Sequence, residues 1–170
     1  KGRRLGDVWD ISIINFTAKE RLGYPTQKPL ELLERVIQAS SNENDIVLDP
    51  FCGCGTTIHA AQKLNRQWIG IDITHLAITL IENRLSDAFW DIEYEVHGTP
   101  KDLDGAKDLA DRDKYQFQWW ACSLVNAMPY KGKKKGADGG IEGLIYFQTE
   151  EKKVEKIIVS VKGGKARIYA

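Results

Sequence analysis

Two aspartates and two glycines are the residues of this chain best arranged for chemistry. Asp49 follows the apolar run Ile46-Val47-Leu48, and Asp72 follows Trp68-Ile69-Gly70-Ile71. Between them lies Pro50-Phe51-Cys52-Gly53-Cys54-Gly55-Thr56-Thr57. Open parallel sheets bind ligands at the carboxyl ends of their strands, near a reversal of strand order. The spacing of the two acids is close to the roughly 20 residues that separate a glycine loop from a ribose-gripping acid in dinucleotide folds. Asp72 is therefore the ribose candidate. Asp49 separates the ligand classes, because an acid at the mouth of the glycine loop repels a pyrophosphate. It favours the amino group and sulfonium of S-adenosylmethionine. Gly53 and Gly55 let the backbone approach a ligand closely. No Lys-Ser or Lys-Thr pair is present, so this is not a P-loop. Taken alone, Gly53-Cys54-Gly55 is equally a tight strand-to-helix turn.

These residues need a frame. Leu30, Leu33, Val36 and Ile37 repeat at helical spacing and predict a helix over 30–39, with Thr26 able to cap it and Pro29 in its first turn. The run 46–48 predicts a strand buried on both faces of a parallel sheet. A second helix over 57–64, a second strand over 68–71 and a third helix capped by Thr74 follow. Strand–helix–strand–helix is the unit of a doubly wound α/β fold. Cys52-x-Cys54 with His59 lacks a fourth ligand and standard zinc spacing. The cysteines fill variable positions of the turn, and His59 reads as a helix-surface residue.

The run Leu48 to Thr57 resembles the first motif of DNA amino-methyltransferases, Asp-Pro-Phe-x-Gly-x-Gly-Thr-Thr. Gly70-Ile71-Asp72-Ile73 resembles their second motif. Pro25-Thr26-Gln27-Lys28-Pro29 resembles the motif that precedes the first in the β-type order. The resemblance implies a Rossmann-like S-adenosylmethionine methyltransferase half-domain over 1–88. It implies that Thr26 and Lys28 approach the methionine end, and that Asp49, Pro50, Phe51, Gly53 and Gly55 wrap the cofactor. Thr56 or Thr57 would assist, Asp72 would bind ribose, and Ile73 would pack on adenine. Such enzymes methylate an exocyclic amine, adenine N6 or cytosine N4, using Asp, Asn or Ser followed by Pro-Pro-Tyr or Pro-Pro-Phe to hold a flipped base. No such tetrapeptide occurs here. Asn126-Ala127-Met128-Pro129-Tyr130 has one proline and the wrong register. The chain is therefore expected to be the C-terminal piece of a longer enzyme, inactive alone.

Beyond a charge-rich connector over 89–113, with room for a short helix, a second unit is expected over 114–170, with a helix over 115–125 and strands over 141–148 and 156–162. Its Ile141-Glu142-Gly143 and Ser160-Val161-Lys162 resemble the core of Mrr-like restriction endonucleases of the PD-(D/E)xK type. There, carboxylates hold Mg²⁺ and a lysine orients water for phosphodiester cleavage. The resemblance implies Glu142 and Lys162 as catalytic residues and Asp138 with Glu142 as metal ligands. Glu142 replaces the usual Asp, and Ser160 stands where a carboxylate or Gln belongs, so a degenerate DNA-binding remnant is expected in preference to an active nuclease. The alternative is a polar hairpin with Lys162 as a solvated end residue.

Composition narrows the setting. Of 170 residues, Lys plus Arg equal Asp plus Glu at 24 each, which leaves charge local rather than global. Lys131, Lys133, Lys134 and Lys135 form one cluster, either a phosphate-contacting patch or a solvated loop. Three cysteines, at 52, 54 and 122, fit reduced thiols in a cytoplasmic protein. No apolar run has membrane-spanning length. DNA is the expected partner, with a homodimer possible.

Overall fold

The computed structural model describes residues 6–130, 140–150 and 152–163. The chain divides into two compact units, Lys1–Glu93 and Tyr94–Ala170. Asp138 and the lysine cluster lie outside the described residues.

In the first unit, α1 (Leu30–Ser40) precedes β1 (Ile46–Asp49), α2 (Thr56–Lys63), β2 (Gln67–Gly70) and α3 (His75–Ala88). Strands β1 and β2 pair in parallel, Leu48 opposite Ile69 and Asp49 opposite Gly70. This is the expected βαβ unit. Ile37, Ala60 and Ala61 are buried, with Leu30, Leu33, Leu64, Val47 and Trp68 packed on them. The core therefore lies between α1, α2 and the inward sheet face. Gly70 permits that approach, since a Cβ there would stand 2.9 Å from Ile58 Cδ1 of α2.

Three local expectations change. β1 is not buried on both faces: Ile46 is 62% and Leu48 58% exposed, on the same side as exposed Ile69. Both helices that build the core lie against the other face. Thr26 does not cap α1, whose N-cap position is Pro29 without a side-chain bond. Instead the carboxylate of Glu20 accepts the Leu30 N–H at 3.2 Å. Thr74 does cap α3, its Oγ1 accepting from Ala77 N–H at 3.2 Å.

In the second unit, α4 (Leu103–Arg112) and α5 (Lys114–Ser123) precede β3 (Met128–Pro129), β4 (Gly143–Gln148) and β5 (Val154–Val159). The stretch 89–113 holds a ten-residue helix, capped by Asp102 and burying Leu109. It packs on α5. The strands form an antiparallel sheet in the order β3-β4-β5. Cys122 of α5 backs this sheet so closely that a Cβ on Gly143 would stand 2.8 Å from its Sγ. Among the described residues no helix is long and apolar enough to cross a membrane.

Candidate cofactor site

The parallel register decides where the acids lie. Ile71 N–H donates to the Asp49 carbonyl and Cys52 N–H donates to the Ile71 carbonyl, both at 2.9 Å. Asp49 ends β1 and Asp72 stands two residues past β2, at the same carboxyl end of the sheet. The Asp72 carboxylate links the turn to the second strand tip: Oδ2 accepts the Gly53 N–H at 3.0 Å, and Oδ1 accepts the Thr74 N–H at 2.9 Å. Asp49 Oδ1 accepts only a weak bond from Phe51 N–H at 3.2 Å. Asp72 Oδ1 also accepts from Thr74 Oγ1 at 3.0 Å, so its two lone pairs are used and the remaining acceptor capacity lies on Asp72 Oδ2 and on Asp49.

The tip is electronegative. Burial first, and then the charges of Asp72 and Asp49, push the Cys52 thiol up to about 11. Burial and Asp72 also raise the Tyr24 hydroxyl. A further anion such as a polyphosphate would meet the same field, whereas a cation is attracted by it.

The glycines also serve the packing of the chain itself. Gly55 has φ +73°, and a Cβ there would stand 2.6 Å from Ile81 Cγ1. Gly53, at φ +51°, faces the Tyr24 ring at 3.2 Å. Side chains of the protein fill the space beside each Cβ position. The glycines therefore allow α2 to pack on α3 and the Tyr24 segment to seat on the turn. Left-handed backbone is the other requirement they meet.

The remaining residues separate into two groups. Phe51 is 87% and Ile73 88% exposed, apolar surfaces beside the two acids. Pro50 is also exposed, and Thr57 is half-buried. Thr26 and Lys28 are exposed on a turn whose Tyr24 reaches Gly53, and the Lys28 ammonium folds back onto the Thr26 carbonyl at 3.1 Å. Gln27 holds that turn, accepting the Leu22 N–H at 2.8 Å and donating to the Glu20 carbonyl. Thr56 is buried, and its hydroxyl accepts from Arg84 Nη1 at 3.0 Å, so it points into the protein. Arg84 was not among the expected site residues. His59 is half-buried rather than a surface residue; its Nδ1 accepts from Arg84 Nε at 3.2 Å and its ring packs 5.0 Å from Phe89. Burial first, then Arg84, hold its pKa down at about 4. The available signal was position: Arg84 falls in the inward stripe of Ala77, Ile81 and Leu85.

In the second unit, Glu142 and Lys162 converge. Glu142 stands just before β4 and its N–H donates to the Val159 carbonyl at 3.0 Å. Its Oε2 accepts the Val161 N–H at 2.9 Å, and its Oε1 faces Lys162 Nζ at 3.8 Å. The Glu142 side chain is 7% exposed, while Lys162 is open. Ser160 is exposed. Among the described residues no cluster of three or more His, Cys, Asp or Glu could hold a metal ion.

Comparison with known proteins fits the first unit. Residues 1–83 match the N6/N4 DNA methylase family model. The Type II methyltransferase M.HpaI of Haemophilus parainfluenzae is 43% identical over 133 residues, 75% of this chain and 41% of its own. That stretch is longer than the 93 residues of the first unit, so the similarity runs on into the second. The Type II methyltransferase M2.LlaDCHI of Lactococcus lactis subsp. cremoris is 44% identical over 85 residues, 50% of this chain and 32% of its own. The crystal structure of the M1.HpyAVI-SAM complex aligns at 45% identity with a TM-score of 0.38, covering 39% of this chain and 33% of that one. The chain spans well under half the length of these relatives. Over residues 1–83, then, this chain is matched by the DNA methylase family, in company with type II methyltransferases that share more than four residues in ten with it.

Proposed function

We propose that the first unit is the S-adenosylmethionine-binding part of a DNA methyltransferase of a restriction-modification system, acting in the cytoplasm on an exocyclic amine of adenine or cytosine. The observation behind this reading is the parallel β1–β2 register, which sets Asp49 and Asp72 at one end of the sheet with the glycine turn between them. The residues fit the cofactor. Two carboxylates suit a cationic ligand bearing ribose hydroxyls, and exposed Phe51 and Ile73 offer apolar surface to a purine. When bound, S-adenosylmethionine supplies the electrophilic methyl group. Thr26 and Lys28 stand on the Tyr24 turn that adjoins Gly53 and are assigned to the methionine end; Pro50, Gly55, Thr56 and Thr57 shape the turn.

Methyl transfer needs a loop that this sequence does not contain. Met128-Pro129, in the nearest string, forms β3 and pairs with β4. The expected outcome is that the chain binds S-adenosylhomocysteine in calorimetry, ignores ATP, and transfers no labelled methyl group to DNA. A folded sample that binds ATP and not S-adenosylhomocysteine would overturn the assignment.

A second reading concerns Glu142, just before β4, and Lys162, three residues past β5, whose charged groups stand 3.8 Å apart. Glu142 already spends Oε2 on Val161 N–H and turns Oε1 to Lys162, and Ser160 brings no charge. We propose a DNA-holding unit without cleavage, with Asp138 unassigned. Plasmid incubated with the chain and Mg²⁺ or Mn²⁺ should stay supercoiled; nicking lost in Lys162→Ala would restore the nuclease.

A further inference from the structure

Behind the cofactor turn lies a buried cation that the aspartate pair does not use. Arg84 of α3 is 7% exposed. Its Nη1 donates to the Cys54 carbonyl at 3.2 Å and to Thr56 Oγ1 at 3.0 Å, and its Nε donates to His59 Nδ1 at 3.2 Å. Among the described residues no carboxylate forms an ion pair with it; Glu20 supports its charge without a hydrogen bond. Burying a guanidinium against neutral acceptors is costly unless its hydrogen bonds are well made. The three acceptors belong to the end of the turn and the first helical turn of α2.

The Cys54–Gly55 peptide shows what this achieves. Its carbonyl is held by Arg84, and its N–H donates to the Cys52 carbonyl at 2.8 Å. The peptide is thus pinned from both sides, immediately before Gly55 in left-handed backbone. On the other side of Cys54, Gly53 N–H reaches Asp72. Without the Arg84 bond, the Cys54 carbonyl would be a buried acceptor lacking that charged donor, and the turn would be free to rotate this peptide.

We propose that Arg84 is the positioning residue of the cofactor turn: with His59 as its orienting partner, it fixes the Cys54–Gly55 peptide and Thr56 so that Gly53 and Asp72 present a preformed ligand surface. The ligand part rests on the cofactor reading above; the turn part does not. Preformed sites bind more tightly because ordering is not left to the moment of binding. His59 must stay neutral to accept from Arg84. Burial, Arg84 and Lys63 favour the neutral ring, while Glu34 opposes them.

Two measurements on the full chain test this. In the ligand-free protein, Arg84→Met should speed amide exchange at Gly53 and Gly55 about tenfold, with α1 unaffected. Unchanged exchange would overturn the proposal. With S-adenosylhomocysteine, affinity should fall as pH is lowered from 6 to 4 more steeply in the wild type than in His59→Gln. The reason is that the glutamine carbonyl accepts from Arg84 at any pH, while the rest of the site is the same in both proteins. Parallel profiles would also overturn it, and this comparison stands if Arg84→Met does not fold. A wild type that binds no S-adenosylhomocysteine yet shows the exchange effect sinks the cofactor reading and leaves the positioning role intact.

Discussion

Asp72→Ala should lower affinity for S-adenosylhomocysteine at least tenfold, and by as much as about a hundredfold. A carboxylate accepting from ribose hydroxyls forms charge-assisted bonds worth roughly 1.5–3 kcal/mol, and each 1.4 kcal/mol is about a factor of ten. The substitution also releases Gly53 N–H and Thr74, which Asp72 now holds at 3.0 and 2.9 Å. Some of the loss therefore comes from a loosened turn. Thermal unfolding separates the parts: a cost of about 1–2 kcal/mol lowers the midpoint by roughly 5–15 °C in a unit of this size, and the titration is read well below it. Asp72→Asn, which keeps one acceptor oxygen and loses the charge, should fall between the two. A folded Asp72→Ala protein that binds within threefold of the wild type would remove Asp72 from the site.

Gly55→Ala should destabilise the first unit by about 2–5 kcal/mol. Left-handed backbone costs an alanine roughly 1–2 kcal/mol. Overpacking adds roughly 1–3 kcal/mol, because the new methyl would sit 2.6 Å from Ile81 Cγ1. Gly23→Ala supplies the control. Gly23 has the same φ of +73° with nothing within 4 Å of its Cβ position, so only the backbone part applies. Denaturant unfolding followed by the amide signals of α2 measures both. Removing the clash with Ile81→Ala in the Gly55→Ala background should make the two costs less than additive. Equal costs for Gly23→Ala and Gly55→Ala would mean that α2 does not depend on this approach to α3.

The methyltransferase motifs were legible because their residues are close in sequence and each does something local. Asp49 and Asp72 terminate apolar runs, and a parallel pairing of those runs is enough to bring the acids to one end. The faces of β1 were not legible. Ile46-Val47-Leu48 reads identically whether one side or both are covered, and coverage depends on elements distant in sequence. Glu20 replaced Thr26 at the start of α1 for a similar reason: its carboxylate arrives from ten residues upstream. Arg84 and His59 were hidden by their types. A charged residue on a helix is ordinarily solvated, and only the packing of α3 on α2 shows that this pair is turned inward. In the second unit, α4 was only faintly legible among its charges, since Leu109 is its one buried residue. Glu142 and Lys162 stand 3.8 Å apart although both lie outside β4 and β5. The bond from Val161 N–H to Glu142 occupies that carboxylate, which its place in the sequence does not reveal.

The most direct test of the cofactor site is an amide-shift map of the isotope-labelled chain titrated with S-adenosylhomocysteine. The account predicts saturable changes at Phe51, Gly53, Gly55, Asp72 and Ile73, with β4 and β5 silent. Saturable changes confined to the second unit, or no changes in a folded sample, would contradict it.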